Sequence, residues 1–328
     1  MQPNVWYDPE LGKWRCWYST FTSCSKPKHL VPECDNAPQK CGTMHPKGFW
    51  GGFSGIKFGR AFAYAESSDG YNWSKPPLGL VSWNGSTANN LLRIGGMASG
   101  VHLDESAPPS QRYKLVTLTA DDESGGVVAS PDGVHVPWNA TKDLSYIHGR
   151  WDTPMNAFYD AANSRWIMML RSTPTERDPS GGLRIQSFSR SLSRDFLGKW
   201  SAATPTGLDT AVDWQPDGLV AWPYEGIFIG VGNVFNPQTK RAANGAAIGQ
   251  TDMVLGWSAD GTRWKWLLND AESSMVPLGA AGDFDSCGVF GAVQDPLRTV
   301  ANDTMRLYYT GKTTASALSC GRARVCFD

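Results

Sequence analysis

A chain of 328 residues, 41% hydrophobic and 19% charged, has the apolar content for a large core, which excludes global disorder. Thirty basic residues against 31 acidic ones leave a net charge of −1, which argues against a nucleic-acid footprint. No apolar run of about 18 residues is present, so no membrane-spanning helix or other membrane contact is expected.

The chain opens on a strand, with no apolar stretch of the kind a signal peptide needs. Asn4 to Tyr7 and Trp14 to Ser19 read as a hairpin about the turn Asp8 to Lys13. Residues 21–60 follow as an irregular insertion rich in Cys, Pro and Gly. Phe62 to Glu66 gives a third strand, closed by an Asp69-Gly70 turn and by Trp73 folding back on the strands.

This unit recurs. Val101 to Glu105, Arg112 to Val116 and Gly126 to Ser130 lead to Asp132-Gly133 and Trp138. Asn156 to Tyr159, Trp166 to Arg171 and Ile185 to Ser189 lead to Asp195 and Trp200. Asp217 to Trp222, Gly226 to Gly230 and Met253 to Trp257 lead to Asp260-Gly261 and Trp264. A last copy begins with Val289 to Val293 and continues with Met305 to Tyr309. Asp69, Asp132, Asp195 and Asp260 mark one turn, roughly sixty residues apart, and such a period means an array of β units. The fold expected is all-β: a five-bladed β-propeller of four-stranded antiparallel blades around a central channel. It forms a single domain with blades near residues 1–98, 99–148, 149–210, 211–280 and 281–328.

Seven cysteines are unevenly spread. Cys16, Cys24, Cys34 and Cys41 lie close together, Cys320 and Cys326 lie near the end, and Cys287 stands apart; disulfide staples and an extracytoplasmic location are the expectation. Zinc is the rival reading, but no close Cys-x-x-Cys pair supports it. Glycosylation-type sequons at Asn72, Asn84, Asn139 and Asn302 add weak support for secretion.

In a propeller the innermost strand of each blade comes first, so residues at its start face the channel mouth. Acids stand there in three units: Asp152, then Asp213 and Asp217, then Asp283 and Asp285. Carboxylates converging on one funnel suit a general acid paired with a base or nucleophile, as glycoside cleavage requires. Trp151 and Trp214 offer faces for sugar rings, and His148, Arg150 and Gln215 complete the candidate binding set. No cofactor is indicated; a structural Ca²⁺ in the channel is compatible with these acids but not called for by them. Asp8, Asp69, Asp132, Asp160 and Asp260 are assigned to turns.

Five stretches, WYDPELGKWRCWYS, YAESSDGYNWSKPPLGLV, RYKLV, RWDTPMNAFYD and GDFDSCGVF, carry a resemblance to the five-bladed propeller glycosidases of glycoside hydrolase families 32 and 43. The resemblance implies three carboxylates acting as nucleophile or base, transition-state stabiliser and general acid. Arg150-Trp-Asp152 is similar to the motif that holds the stabiliser, and Trp214-Gln-Pro-Asp217 to the motif that holds the acid. Gln215 falls on the acid position of that match, and an amide cannot donate a catalytic proton, so the role passes to Asp217 or Asp213, with Asp285 opposite. The matching nucleophile would precede Asn4. The function expected is hydrolysis of an oligo- or polysaccharide. The alternatives are a carbohydrate-binding propeller that has lost part of its acids, and a protein-interaction scaffold.

Overall fold

The hairpin at the start of the chain sets the pattern that the other units follow. In the computed structural model, β1 (Asn4–Asp8) pairs antiparallel with β2 (Lys13–Thr22), which pairs with β3 (Gly59–Ser67). The structure describes residues 3–22, 59–83, 86–93, 98–118, 125–147, 155–172, 187–208, 215–241, 247–267, 274–280, 283–286, 288–291, 293–294, 306–316 and 319–326.

The second unit is β4 (Ala98–Leu103), β5 (Tyr113–Leu118), β6 (Gly125–Ser130) and the short β7 (Lys142–Asp143). The third is β8 (Asn156–Asp160), β9 (Arg165–Ser172), β10 (Ser187–Ser193) and β11 (Thr204–Pro205). The fourth is β12 (Gln215–Tyr224), β13 (Ile227–Arg241), β14 (Ala247–Ser258) and β15 (Lys265–Trp266). The chain then adds β16 (Gly288–Gly291), β17 (Val293–Gln294), β18 (Tyr309–Ser316) and β19 (Ser319–Cys326).

Every residue of β5 and β6 is buried, because each sheet is covered on both faces by its neighbours. That is why these strands read as apolar runs and not as clean alternations. The core accordingly lies between units. Trp6, Trp17 and Phe62 pack on Leu103, Tyr113 and Leu115; Val116 and Leu118 pack on Met155, Trp166 and Met168; Phe158, Ile167 and Met169 pack on Leu219, Val254 and Trp264. Trp222 and Met253 then meet Val289, and Tyr308 returns to Val5, Trp14 and Cys16. The parallel pairing of β1 with β17 closes the ring.

Buried asparagines tie adjacent units together. Asn4 accepts from the Val101 N–H at 2.8 Å and donates to the Trp17 carbonyl. Asn156, with its amide turned to suit its neighbours, donates to the Leu219 carbonyl at 2.9 Å and accepts from the Ala221 N–H at 3.2 Å. Asn233 accepts from the Gly291 N–H at 3.0 Å. Each amide satisfies backbone groups that no strand partner reaches.

The repeated turn is built as its sequence implies. Asp69, Asp132 and Asp260 accept from backbone N–H groups two and three residues on, after a serine whose hydroxyl braces the same turn. The carbonyl of the residue after each marker aspartate takes an indole N–H: Trp73 on Gly70, Trp200 on Phe196 and Trp264 on Gly261. In the second unit the donor is Trp17 of the neighbouring unit, on Gly133.

Three expectations need correction. The described strands form four sheets and not five separate ones, because the parallel bridge Thr251–Gly288 continues the fourth unit into β16, β18 and β19 as one seven-stranded sheet. The strand expected over Met305 to Tyr309 begins only at Tyr309. Cys16 is not stapled: it is a free thiol buried beside Val5, Trp14 and Ala65. Cys24, Cys34, Cys41 and Cys287 lie outside those residues.

Candidate functional site at the channel mouth

The first strands β1, β4, β8 and β12 run side by side in one direction: Asn4, Val101, Asn156 and Ala221 meet near one level, and Trp6, Leu103, Tyr159 and Pro223 line one cavity further along. Their starts therefore lie at one end of the channel. Gly100 is needed there: a Cβ on it would meet the Met155 carbonyl oxygen at 2.7 Å.

Asp217 sits at this end on a β-bulge. The pairing of β12 with β13 shifts between Pro216 and Gly218, leaving Asp217 as the extra residue. A bulge turns its side chain out of the strand's alternation, a device common beside active sites. Here the carboxylate meets a guanidinium. Arg171, near the end of β9, donates from Nη1 to Asp217 Oδ1, and both side chains are only 16% and 20% exposed. An arginine so placed sets a positive charge directly against the carboxylate. Gln215, two residues earlier, is buried.

Asp285 is buried in the loop that leads into β16, where it accepts from the Tyr309 hydroxyl at 3.1 Å. It is wedged between Gly279 and Gly311; a Cβ on Gly311 would meet its own Cβ at 2.7 Å. Asp283 does something different. It is exposed and its Oδ2 accepts from the Ala280 N–H at 2.8 Å, closing the turn that positions Asp285. In register, Gln215 opposes Phe235, Phe235 opposes Thr251, and Thr251 opposes Gly288. The starts of β12 and β16 thus share one level, three strand spacings or about 14 Å apart across the sheet.

His148, Arg150, Trp151, Asp152, Asp213 and Trp214 lie outside the described residues. Among the described residues no group of three or more His, Cys, Asp or Glu is arranged to hold a metal ion. Arg171 and Tyr309 are partners that sequence reasoning missed. Arg171 breaks the apolar run of β9, where its charge is the one available signal, whereas Tyr309 opens the polar β18 and gives none.

The turn carboxylates are set apart from these acids by their surroundings. Backbone N–H groups from Asn72 and Tyr71 and the Asn72 amide hold Asp69 well below the usual carboxylate range. Asp8 is fully enclosed; burial pushes it up, but the Tyr113 hydroxyl and the Arg112 guanidinium outweigh that and hold it low. Arg112 Nη2 lies 3.0 Å from Asp8 Oδ1, joining the first two units. Asp8 serves the frame.

Fold and mouth together define an all-β, propeller-like ring of antiparallel blades with acids where the first strands begin. No protein-family model and no curated protein sequence matches the chain. Among solved structures it is similar to one described as a glycoside hydrolase, at 10% identity and a TM-score of 0.56 over 95% of this chain and 83% of that one. It is also similar to a thermostable family-43 glycoside hydrolase, at 12% identity and a TM-score of 0.52 over 98% and 86% of the two chains. A third is a BT0996 RGII complex, at 10% identity and a TM-score of 0.55 over 95% and 83%. These likenesses are of fold, and they agree with the glycosidase-propeller resemblance carried by the sequence motifs.

Proposed function

We propose that this chain is an extracytoplasmic, carbohydrate-active propeller, and that it hydrolyses glycosidic bonds of an oligo- or polysaccharide at the mouth where its first strands begin. The observation that carries the reading is Asp217, set on a bulge near the start of β12 and paired with Arg171. The likeness in fold to glycoside hydrolases supports it. With a guanidinium already bound to its carboxylate, Asp217 takes the role of base or charge stabiliser in this reading. Asp213 or Asp285 then protonates the leaving oxygen, and Asp152 steadies the oxocarbenium-like transition state. Trp151 and Trp214 stack on the sugar.

A second reading rests on one specific pair of facts. Buried Gln215 and arginine-bound Asp217 both deny a proton donor to the motif from Trp214 to Asp217. A propeller with no other acid would bind glycans without cutting them. Reducing-sugar release from a panel of plant and microbial polysaccharides separates the two. Turnover that falls by about 10²–10⁴-fold in Asp217→Asn supports hydrolysis. Absent turnover with binding retained by calorimetry supports the binding module.

A further inference from the structure

A cavity of about 310 Å³ lies along the first strands, toward the C-terminal ends of β1, β4 and β12 and along β8. Four units build it: Trp6 from β1, His102 from β4 with Asp104 and Glu105 beyond it, Tyr159 from β8, and Trp222 from β12. Along β12, about 16 Å of extended chain separates Asp217 from Trp222, so the two sites are distinct.

Its lining combines flat rings with fixed acceptors. Trp6 and Trp222 are each 5% exposed and held by the core, whereas Tyr159 is 37% exposed. His102 is fixed edge-on between Trp6 at 5.1 Å and Trp166 at 4.9 Å. Asp104 takes the Lys114 ammonium at 2.9 Å and the Ser106 hydroxyl at 2.6 Å. Against the upward push of burial, those partners keep it an anion. The indole N–H of Trp222 is enclosed and has no acceptor among the described residues, so Trp222 offers the cavity its ring and not a donor.

We infer that this cavity is a separate carbohydrate-binding site, sized for a single neutral sugar ring. Aromatic rings accept the C–H face of a pyranose or furanose, and the carboxylates of Asp104 and Glu105 accept its hydroxyl protons. A cationic ligand fits less well, because Lys114 already neutralises Asp104. The volume lies at the low end of small-ligand pockets and holds one ring, not a chain.

The test uses the full chain carrying Asp217→Asn, so that hydrolysis does not intrude. Saturation-transfer NMR is run with the methyl glycosides of galactose, arabinose, xylose and rhamnose, and with tetramethylammonium as a cationic probe. The expected result is transfer to at least one glycoside, weakened about tenfold by Tyr159→Ala and by Glu105→Gln, which changes only an exposed turn. No glycoside transfer, transfer that survives both substitutions, or transfer to tetramethylammonium alone overturns the inference. Hydrolysis measured separately on the native chain reports on the site at Asp217, so failure there leaves this result intact.

Discussion

Arg171 of β9 and Asp217 of β12 are joined by an ion pair across the boundary between the third and fourth units. The pair fixes the direction of a bulged carboxylate and its charge at once. Removing the guanidinium leaves a largely enclosed anion facing none of that compensation. Exposed pairs contribute under about 1 kcal/mol and breaking buried ones costs about 3–5, so Arg171→Ala is expected to destabilise by about 2 kcal/mol. Urea denaturation reads that loss. If Asp217 is a catalytic anion, Arg171→Ala lowers kcat far more than KM changes, and Arg171→Lys restores part of it. A purely structural pair would lower the unfolding midpoint and leave the kcat of the folded enzyme unchanged.

Asp8 predicts the acid limb of stability. Its folded pKa lies below the ordinary 3.8, so its contribution is complete above that value and is lost as pH falls through the folded pKa. Asp69, Asp132 and Asp260 are held low as well and add to the same limb. Urea midpoints measured downward from neutral pH should hold steady and then drop below about pH 4. Asp8→Asn should flatten part of that drop while lowering stability at neutral pH, because Arg112 loses its buried carboxylate partner and keeps only the exposed Glu10. A midpoint in Asp8→Asn that falls with acid as steeply as in the native chain would contradict this assignment.

Gly133 offers a sharper test of the repeated turn. Its φ is +67°, and a Cβ there would meet Trp17 at 2.7 Å and Tyr113 at 3.0 Å. Neither ring can retreat, since Trp17 donates to the Gly133 carbonyl and Tyr113 donates to Asp8. Left-handed backbone costs an L-residue about 1–2 kcal/mol, and overpacking adds about 1–3. Gly133→Ala should therefore lower the melting temperature clearly. Gly12→Ala should do so less, because Gly12 shares the positive φ but meets nothing within 4 Å. Equal losses in the two variants would refute the packing argument.

What the sequence made legible is what is local. The turns at Asp69, Asp132 and Asp260 use donors within three residues, so their spacing alone revealed the repeat. The apolar first strands were legible for the same reason. Arg171–Asp217 and Tyr309–Asp285 join residues far apart in the chain, and no local pattern encodes such a meeting. Asp283 and Asp285 look alike in sequence, yet one closes a turn and the other is buried against a phenol, a difference set by Gly279 and Gly311. The fusion of two units into one sheet was equally hidden, because the Thr251–Gly288 bridge is a backbone pairing between residues far apart in the chain.

Cys16 tests the one chemical expectation that the fold overturned. Read with Cys24, Cys34 and Cys41 it suggested a staple, yet β2 turns it into the cluster of Val5, Trp14, Ala65 and Tyr308. Burial pushes its thiol well above the ordinary cysteine value, so almost no thiolate forms at neutral pH. Iodoacetamide without reductant, followed by peptide mass mapping, should leave Cys16 unmodified in the native protein. The same reagent in urea should label it fully, since unfolding restores both solvent and thiolate. A disulfide would block labelling in both conditions, and a surface thiol would react in both. The contrast between native and unfolded protein therefore distinguishes a packed core thiol from either alternative.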